Sequence, residues 1–303
     1  MEEKANKIRI GVLGAANIAV RSVIPAIESL QERFELVGIG SRSASKKQDV
    51  DQQKLIEGYD NLLDNFSLDA VYIPLPNSLH FEWVRKALER GIHVLVEKSL
   101  GCSYEEVVEL NKLASEKDLV LVENFQFRFH SQLKYVLDVL KDGKLGELRI
   151  VRSTFCFPPF PDKENIRYKE ELGGGALLDA GAYPVKISQL LLGNDLQVTS
   201  AVLNNEDQEV DIWGGAFLQQ KNGKLFSEIA FGFDNYYQCS VELVGSKGRL
   251  YTNRIFTAGE AVTPTILLET NSEGPKEIKL NPDNHFRNML VHFSELIKGN
   301  QDA

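Results

Sequence analysis

Cysteine is scarce in this 303-residue chain, which holds only Cys102, Cys156 and Cys239. An odd number with neither C-x-x-C nor histidine-pair spacing argues against a disulfide framework and against a zinc site, so the three are expected to be reduced packing residues of a cytoplasmic protein. Histidine is almost as sparse. His130, His285 and His292 fall into no metal-ligand pattern, and no catalytic metal is expected. Long apolar runs are missing as well: nothing approaches the ~20 residues of a membrane span, and the opening MEEKANK lacks the apolar core of a signal segment. Positive charge is in deficit, with 34 Lys and Arg against 43 Asp and Glu and a formal net charge of −9. That balance argues against a broad nucleic-acid or anionic-membrane surface, so any phosphate site has to be local. Internal repeats and low-complexity tracts are absent.

What is present is enough apolar residue, 43% of the chain, to bury a full core, and the length points to two domains. Over residues 1–124 short apolar runs alternate with amphipathic stretches. IRIGVLG, FELVGIGS, DAVYIPL, HVLVEKS and LVLVENF are continuous rather than alternating runs, as parallel strands covered on both faces require. Between them, SLHFEWVRKALERG repeats apolar positions at Phe81, Val84 and Leu88 and stops at Gly91, while SYEEVVELNKLASEK opens on an N-cap-like Ser103. The expected fold is α/β, with an N-terminal doubly wound parallel sheet of Rossmann type.

From residue 125 to 303 the pattern changes to an α+β domain with a largely antiparallel open sheet. HSQLKYVLDVLKDGK reads as a linking helix, GKLFSEIAFGF and YYQCSVELVGSKGRLYTN as alternating strands joined by short turns, and GALLDAGAYPVKISQLLLG as one prominent helix. IWGGAFLQQ and KLFSEIAFGFDN place apolar and aromatic groups on both faces of that sheet. One face is expected to cover helices and the other a partner sheet, giving a homodimer or homotetramer.

The first strand breaks into Gly14-Ala15-Ala16-Asn17-Ile18-Ala19, which fits G-x-G-x-x-A with Ala16 in place of the second glycine. A turn of this kind before a helix can hold a pyrophosphate on free N–H groups. The second strand ends in GIGSRSASKK, without the acid that usually binds a ribose 2′-hydroxyl. Ser41, Arg42 and Lys46 suit a 2′-phosphate instead, so NADP(H) is expected in preference to NAD(H). Leu75, Pro76, Asn77 and His80 of PLPNSLH are placed at the nicotinamide ribose, although His80 reads equally as a satisfied structural histidine.

These segments in this order, GVLGAANIA, PNSLH, HVLVEKS and GGGALLDAGAYP, resemble the glucose–fructose oxidoreductase, inositol dehydrogenase and rhizopine-catabolism (Gfo/Idh/MocA) family over nearly the whole chain. ENFQFRFH, FPPFPDKENIRY and ELGGGALLDAGAYPVKI look most like its branch of nucleotide-sugar 3-ketoreductases and trans-dihydrodiol or xylose dehydrogenases. Ser99 stands where the family usually has proline, which predicts a less rigid hold on Lys98. The chain also stops soon after HFRNMLVHFSELIKG, where relatives commonly continue.

The resemblance implies an NADP-dependent oxidoreductase acting on CH–OH groups, with Lys98 and Tyr183 as the catalytic pair. Ketone reduction needs a hydride at carbon and a proton at the developing alkoxide. Tyrosine titrates near ~10, and an adjacent ammonium favours the phenolate, bringing the donor toward working pH. Asp179, four residues before Tyr183, shares its helix face and is the third catalytic candidate, for a substrate hydroxyl or for Lys98. Glu97 and Asn124 join the cofactor set, and Arg128, Arg167 and Tyr168 are further substrate candidates. Gly173, Gly174 and Gly175 read as a turn admitting close approach of substrate. The favoured function is a nucleotide-sugar 3-ketoreductase, with a small sugar or nucleotide-sugar as partner and neither nucleic acid nor membrane. The alternatives are a trans-dihydrodiol or D-xylose dehydrogenase and, in another class, a non-catalytic dinucleotide-binding sensor.

Overall fold

The computed structural model describes residues 7–42 and 50–300. It divides into two compact units, one of Met1–Phe125 with Phe286–Ala303 and one of Gln126–His285. From Phe286 onward the C-terminal helix α7 (His285–Ile297) therefore belongs with the first unit, where Arg33 pairs with Glu295 and donates to Ser294 Oγ at 2.8 Å.

The first unit is a six-stranded sheet of β1 (Ile8–Leu13), β2 (Phe34–Ser41), β3 (Leu55–Glu57), β4 (Ala70–Ile73), β5 (His93–Glu97) and β6 (Leu121–Asn124), in the order β3-β2-β1-β4-β5-β6. Every described pairing within it is parallel. The continuous apolar runs have the expected cause: Ala70 to Ile73 and Val94 to Val96 are buried throughout, because helices α2 (Tyr59–Asn65), α3 (Asn77–Glu89) and α4 (Tyr104–Glu116) supply the covering layers. Val84, Ala87 and Leu88 of α3 and Leu110 and Ala114 of α4 pack in one cluster with these strands. Ser103 caps α4, its Oγ accepting from Glu106 N at 3.2 Å. The edge strand β3 went unread in the sequence because three residues carry no period.

The helix after β1 begins at Asn17, widens to a π turn over Ala19–Val23 and continues as α1 (Ile24–Glu28). Pro25 explains the widening, since its ring clashes with the carbonyl one turn back and it has no N–H to donate.

The second unit carries α5 (Ser131–Lys141), α6 (Ala182–Leu192) and an eight-stranded sheet. Its strands are β7 (Leu148–Cys156), β8 (Leu196–Asn204), β9 (Trp213–Gln220), β10 (Phe226–Gly232), β11 (Gln238–Gly245), β12 (Gly248–Asn253), β13 (Thr265–Thr270) and β14 (Pro275–Lys279), in the order β14-β13-β12-β11-β7-β10-β9-β8. All its pairings are antiparallel except that of β7 with β10. Alternate residues such as Val151, Ile229, Val241 and Leu250 are buried.

The opposite face is less apolar than the sequence pattern suggested. Arg152 bridges Glu228 at 2.7 Å and Glu242 at 3.1 Å, and Arg249 bridges Glu242 at 3.3 Å and Glu269 at 3.0 Å. Apolar groups on that face gather toward β9 and β8, where Phe217 stacks on Phe226 at 4.6 Å and Val202 is exposed.

Candidate active site

In the first unit the predicted cofactor residues converge at the C-terminal ends of the parallel strands, beside the crevice where strand order reverses between β1 and β4. Gly14 follows β1 with φ +118°, a backbone conformation that side-chain-bearing residues rarely adopt, and a Cβ there would also stand 3.0 Å from Leu75 Cδ2. Only glycine therefore fits at this position, which supports the turn as a cradle for a dinucleotide. Ala15 and Ala16 are half-buried, and Asn17 and Ile18 are exposed in the first turn of the following helix, whose leading N–H groups have no intrahelical acceptor.

Ser41 is buried at the end of β2, its carbonyl accepting from Gly58 N at 2.7 Å, and Arg42 is exposed beside it. Burial raises the Tyr59 phenol above its ordinary value, and the nearby Arg42 cation opposes that rise. Lys46 lies outside the described residues.

Leu75, Pro76 and Asn77 form a half-buried turn leading into α3. His80 is fully buried, with Nδ1 2.6 Å from Ser99 O and Nε2 2.8 Å from Leu75 O. Both nitrogens thus face a backbone carbonyl. Burial pushes its pKa down; the two carbonyls oppose the fall and Lys98 adds to it. A neutral imidazole has one N–H and donates to one of these carbonyls at a time.

Lys98 follows β5, half-buried, and the Lys98–Ser99 peptide is cis. Ser99 N donates to Asn77 Oδ1 at 3.2 Å, and Leu100 N donates to Glu123 Oε1 at 2.9 Å. On the other side of Lys98, Glu97 Oε1 accepts from the Tyr72 hydroxyl at 2.6 Å and from Asn124 Nδ2 at 2.7 Å. Burial raises the Glu97 carboxyl pKa, against those two hydrogen bonds and the Lys98 cation. Tyr72 was missed in the sequence, where it is one more apolar position of a buried strand. Only its pairing across β5 reveals the hydroxyl's partner.

In the second unit Tyr183 lies in the first turn of α6, 8% exposed. Its ring sits 5.1 Å from Phe155, 5.3 Å from Phe256 and 5.9 Å from Phe127, and its hydroxyl accepts from Gln126 Nε2 at 3.4 Å. Sequence reasoning had no signal for these neighbours, which come from three separate elements. The turn before α6, Leu177–Gly181, is a π helix, so the four-residue step from Asp179 to Tyr183 falls nearer one full turn than in an α-helix. π turns of this kind are frequent at functional sites.

Asp179 is half-buried and takes Arg167 as its partner, Nε to Oδ2 at 2.6 Å. Two substrate candidates are thereby brought together, and the Arg167 guanidinium lies 4.9 Å from the Phe160 ring. Tyr168 accepts from Phe160 N at 3.1 Å, while Arg128 is exposed, 5.7 Å from the Phe129 ring. In the glycine turn a Cβ on Gly174 would meet Arg167 O at 2.5 Å, and one on Gly175 would meet Asp211 Oδ1 at 2.5 Å, so close packing also calls for glycine there.

His130 and His285 pack ring to ring at 5.7 Å, and burial, followed by His130, pushes His285 down to about 4. Cys156 and Cys239 are buried and free, and Cys102 is exposed and free. No group of three metal-ligating side chains exists among the described residues, and no helix among them is long and apolar enough to cross a membrane.

Residues 8–125 match an oxidoreductase family described by its NAD-binding Rossmann fold, and residues 133–251 match the GFO/IDH/MocA C-terminal domain. The chain belongs to the Gfo/Idh/MocA family. It is 37% identical over 297 residues to dTDP-3,4-didehydro-2,6-dideoxy-alpha-D-glucose 3-reductase of Actinomadura kijaniata, covering 97% of this chain and 88% of that one. Identity to D-xylose 1-dehydrogenase (NADP(+)) 2 of Haloferax volcanii is 30% over 292 residues, 95% of this chain and 88% of that one. The fold matches a crystal structure of a 3-ketoreductase from A. kijaniata in complex with NADP and TDP-benzene, with a TM-score of 0.91, 36% identity and coverage of 98% of this chain and 91% of that one. That relative has also been solved with a tyrosine changed to phenylalanine. The expected family and fold class are borne out, and the chain is an oxidoreductase.

Proposed function

We propose that this protein is an NADP(H)-dependent 3-ketoreductase of a nucleotide-activated sugar. The observation that carries the reading is the 37% identity, over nearly the full length, to a dTDP-sugar 3-reductase. Likeness to the xylose dehydrogenase is lower at 30%, so aldose oxidation is the second reading. The test is oxidation of NADPH by a panel of 3-keto sugar nucleotides beside reduction of NADP+ by free aldoses. Reduction of NADP+ by aldoses alone, or no turnover in either direction, would overturn the first reading.

Bound NADPH supplies the hydride. Within the chain, the first unit takes the cofactor. Gly14, Ala15, Ala16, Asn17 and Ile18 hold the pyrophosphate, Ser41, Arg42 and Lys46 the 2′-phosphate, and Leu75, Pro76, Asn77, Glu97, Lys98 and Asn124 the nicotinamide side. The second unit takes the sugar: Tyr183 gives its phenolic proton to the substrate oxygen as that oxygen gains charge, and Asp179, Arg167, Tyr168 and Arg128 orient the hydroxyls and the nucleotide. Two thiols that are buried and free accord with a cytoplasmic enzyme.

Without an acid after β2, NADPH is expected to bind at least ~10-fold more tightly than NADH, a preference of ~1.4 kcal/mol carried largely by Arg42. Fluorescence titration of both cofactors checks this. An Arg42→Ala variant with an unchanged ratio would remove the 2′-phosphate assignment.

A homodimer or homotetramer is expected through the open face of the eight-stranded sheet. Its rows of Arg152, Arg249, Glu228, Glu242 and Glu269 offer both signs of charge for a second copy related by a two-fold axis, and Phe217, Phe226 and Val202 add apolar area. Light scattering at micromolar concentration decides the point. A monomer there defeats the claim.

A further inference from the structure

The peptide groups on the C-terminal side of Lys98 are held from outside their own strand. Ser99 has both backbone groups engaged by the first turn of α3: its N–H by Asn77 Oδ1 at 3.2 Å and its carbonyl by His80 Nδ1 at 2.6 Å. Asn77 and His80 are three residues apart, so they project from the same face of the helix. The next amide, that of Leu100, is taken by Glu123 Oε1 at 2.9 Å. Since the lysine stem is long and flexible, the position of its ammonium depends on how firmly its base is fixed.

We propose that Asn77 is a positioning residue for Lys98, acting through the Ser99 N–H. This assignment rests on Lys98 being the cation of the hydride-transfer site. Its particular feature is that the need for Asn77 arises from the residue at position 99. A half-buried N–H without an acceptor is costly, and serine, unlike proline, brings one. Asn77 satisfies that group, and in doing so ties the turn after β5 to the start of α3. The neutral His80 ring has one N–H, so while Nδ1–H holds Ser99 O the 2.8 Å approach of Nε2 to Leu75 O is not a second tie.

A contact that positions Lys98 through Ser99 and a direct contact from Asn77 to the cofactor are separated by a double-mutant cycle. Asn77→Ala is expected to lower kcat about tenfold, the rate equivalent of one ordinary hydrogen bond, with a smaller change in KM for NADPH. In a Ser99→Pro background, where the N–H no longer exists, the same Asn77→Ala change is expected to lose most of that effect. Asn77→Asp keeps an oxygen acceptor and is expected to recover most of the turnover. It preserves the test if the proline variant fails to fold. Hydrogen exchange of the Ser99 amide in the NADPH-bound protein is expected to accelerate in Asn77→Ala and not in Asn77→Asp.

An equal loss from Asn77→Ala in both backgrounds, an effect confined to KM for NADPH, or unchanged Ser99 exchange in Asn77→Ala would each overturn the proposal. If the native protein turned over no carbonyl, or Lys98→Ala left turnover intact, the catalytic reading would be the part that failed. The exchange comparison would then decide by itself whether Asn77 holds the turn.

Discussion

Tyr183→Phe is expected to lower turnover of a 3-keto sugar nucleotide by about 10²–10⁴-fold, the usual scale for losing a positioned proton donor, and to leave NADPH affinity unchanged. The structure makes this a clean substitution. The ring is held among Phe127, Phe155 and Phe256 at centroid distances of 5.1–5.9 Å, and all of those contacts survive removal of one oxygen. Gln126 Nε2 donates to the hydroxyl at 3.4 Å, a long contact whose loss costs little stability. A large fall in turnover therefore reports chemistry and not unfolding. Stopped-flow NADPH oxidation beside a thermal melt measures both, and near-native turnover in the variant would sink the assignment of Tyr183.

Lys98→Ala is expected to do at least as much damage to turnover, by about 10²–10⁴-fold or more, and to weaken NADPH binding as well. The asymmetry follows from the roles assigned. The phenol is assigned to the substrate, whereas the ammonium is expected to serve both the developing charge and the nicotinamide ribose. The backbone around the substitution is secured independently of the lysine side chain, by Tyr72 and Asn124 on Glu97, by Asn77 and His80 on Ser99 and by Glu123 on Leu100. Truncation should thus remove the cation without collapsing the turn. Cofactor titration separates the two effects, and an unchanged NADPH affinity would remove the ribose role while leaving the catalytic one. Native protein that binds NADPH but turns over no carbonyl would instead establish the sensor reading.

Much of the first unit was legible because its rules are local. A strand covered on both faces must be apolar at every position, and Ala70 to Ile73 shows it. A turn at φ +118° favours glycine, and Gly14 stands there. The absence of an acid after β2 and the Asp179–Tyr183 spacing are likewise one-dimensional facts. Polar partnerships were not legible. Asp179 pairs with Arg167, twelve residues earlier through irregular chain, and no periodicity announces that ion pair. The close approach of Arg167 O to Gly174 and of Asp211 to Gly175 likewise has no signal in a short window of sequence.

The sequence by itself therefore determined the main parallel strands of the first unit, the glycine turn after β1 and the residue types available for hydride and proton chemistry, since each follows from periodicity and composition within a short window. Tertiary structure alone decided which polar group answers which. Glu97 meets Tyr72 and Asn124 because parallel strands β4, β5 and β6 lie side by side, and Ser99 meets Asn77 because α3 starts beside the end of β5. Such pairings depend on where chain segments more than twenty residues apart come to rest, and a buried donor accepts whichever partner packing delivers.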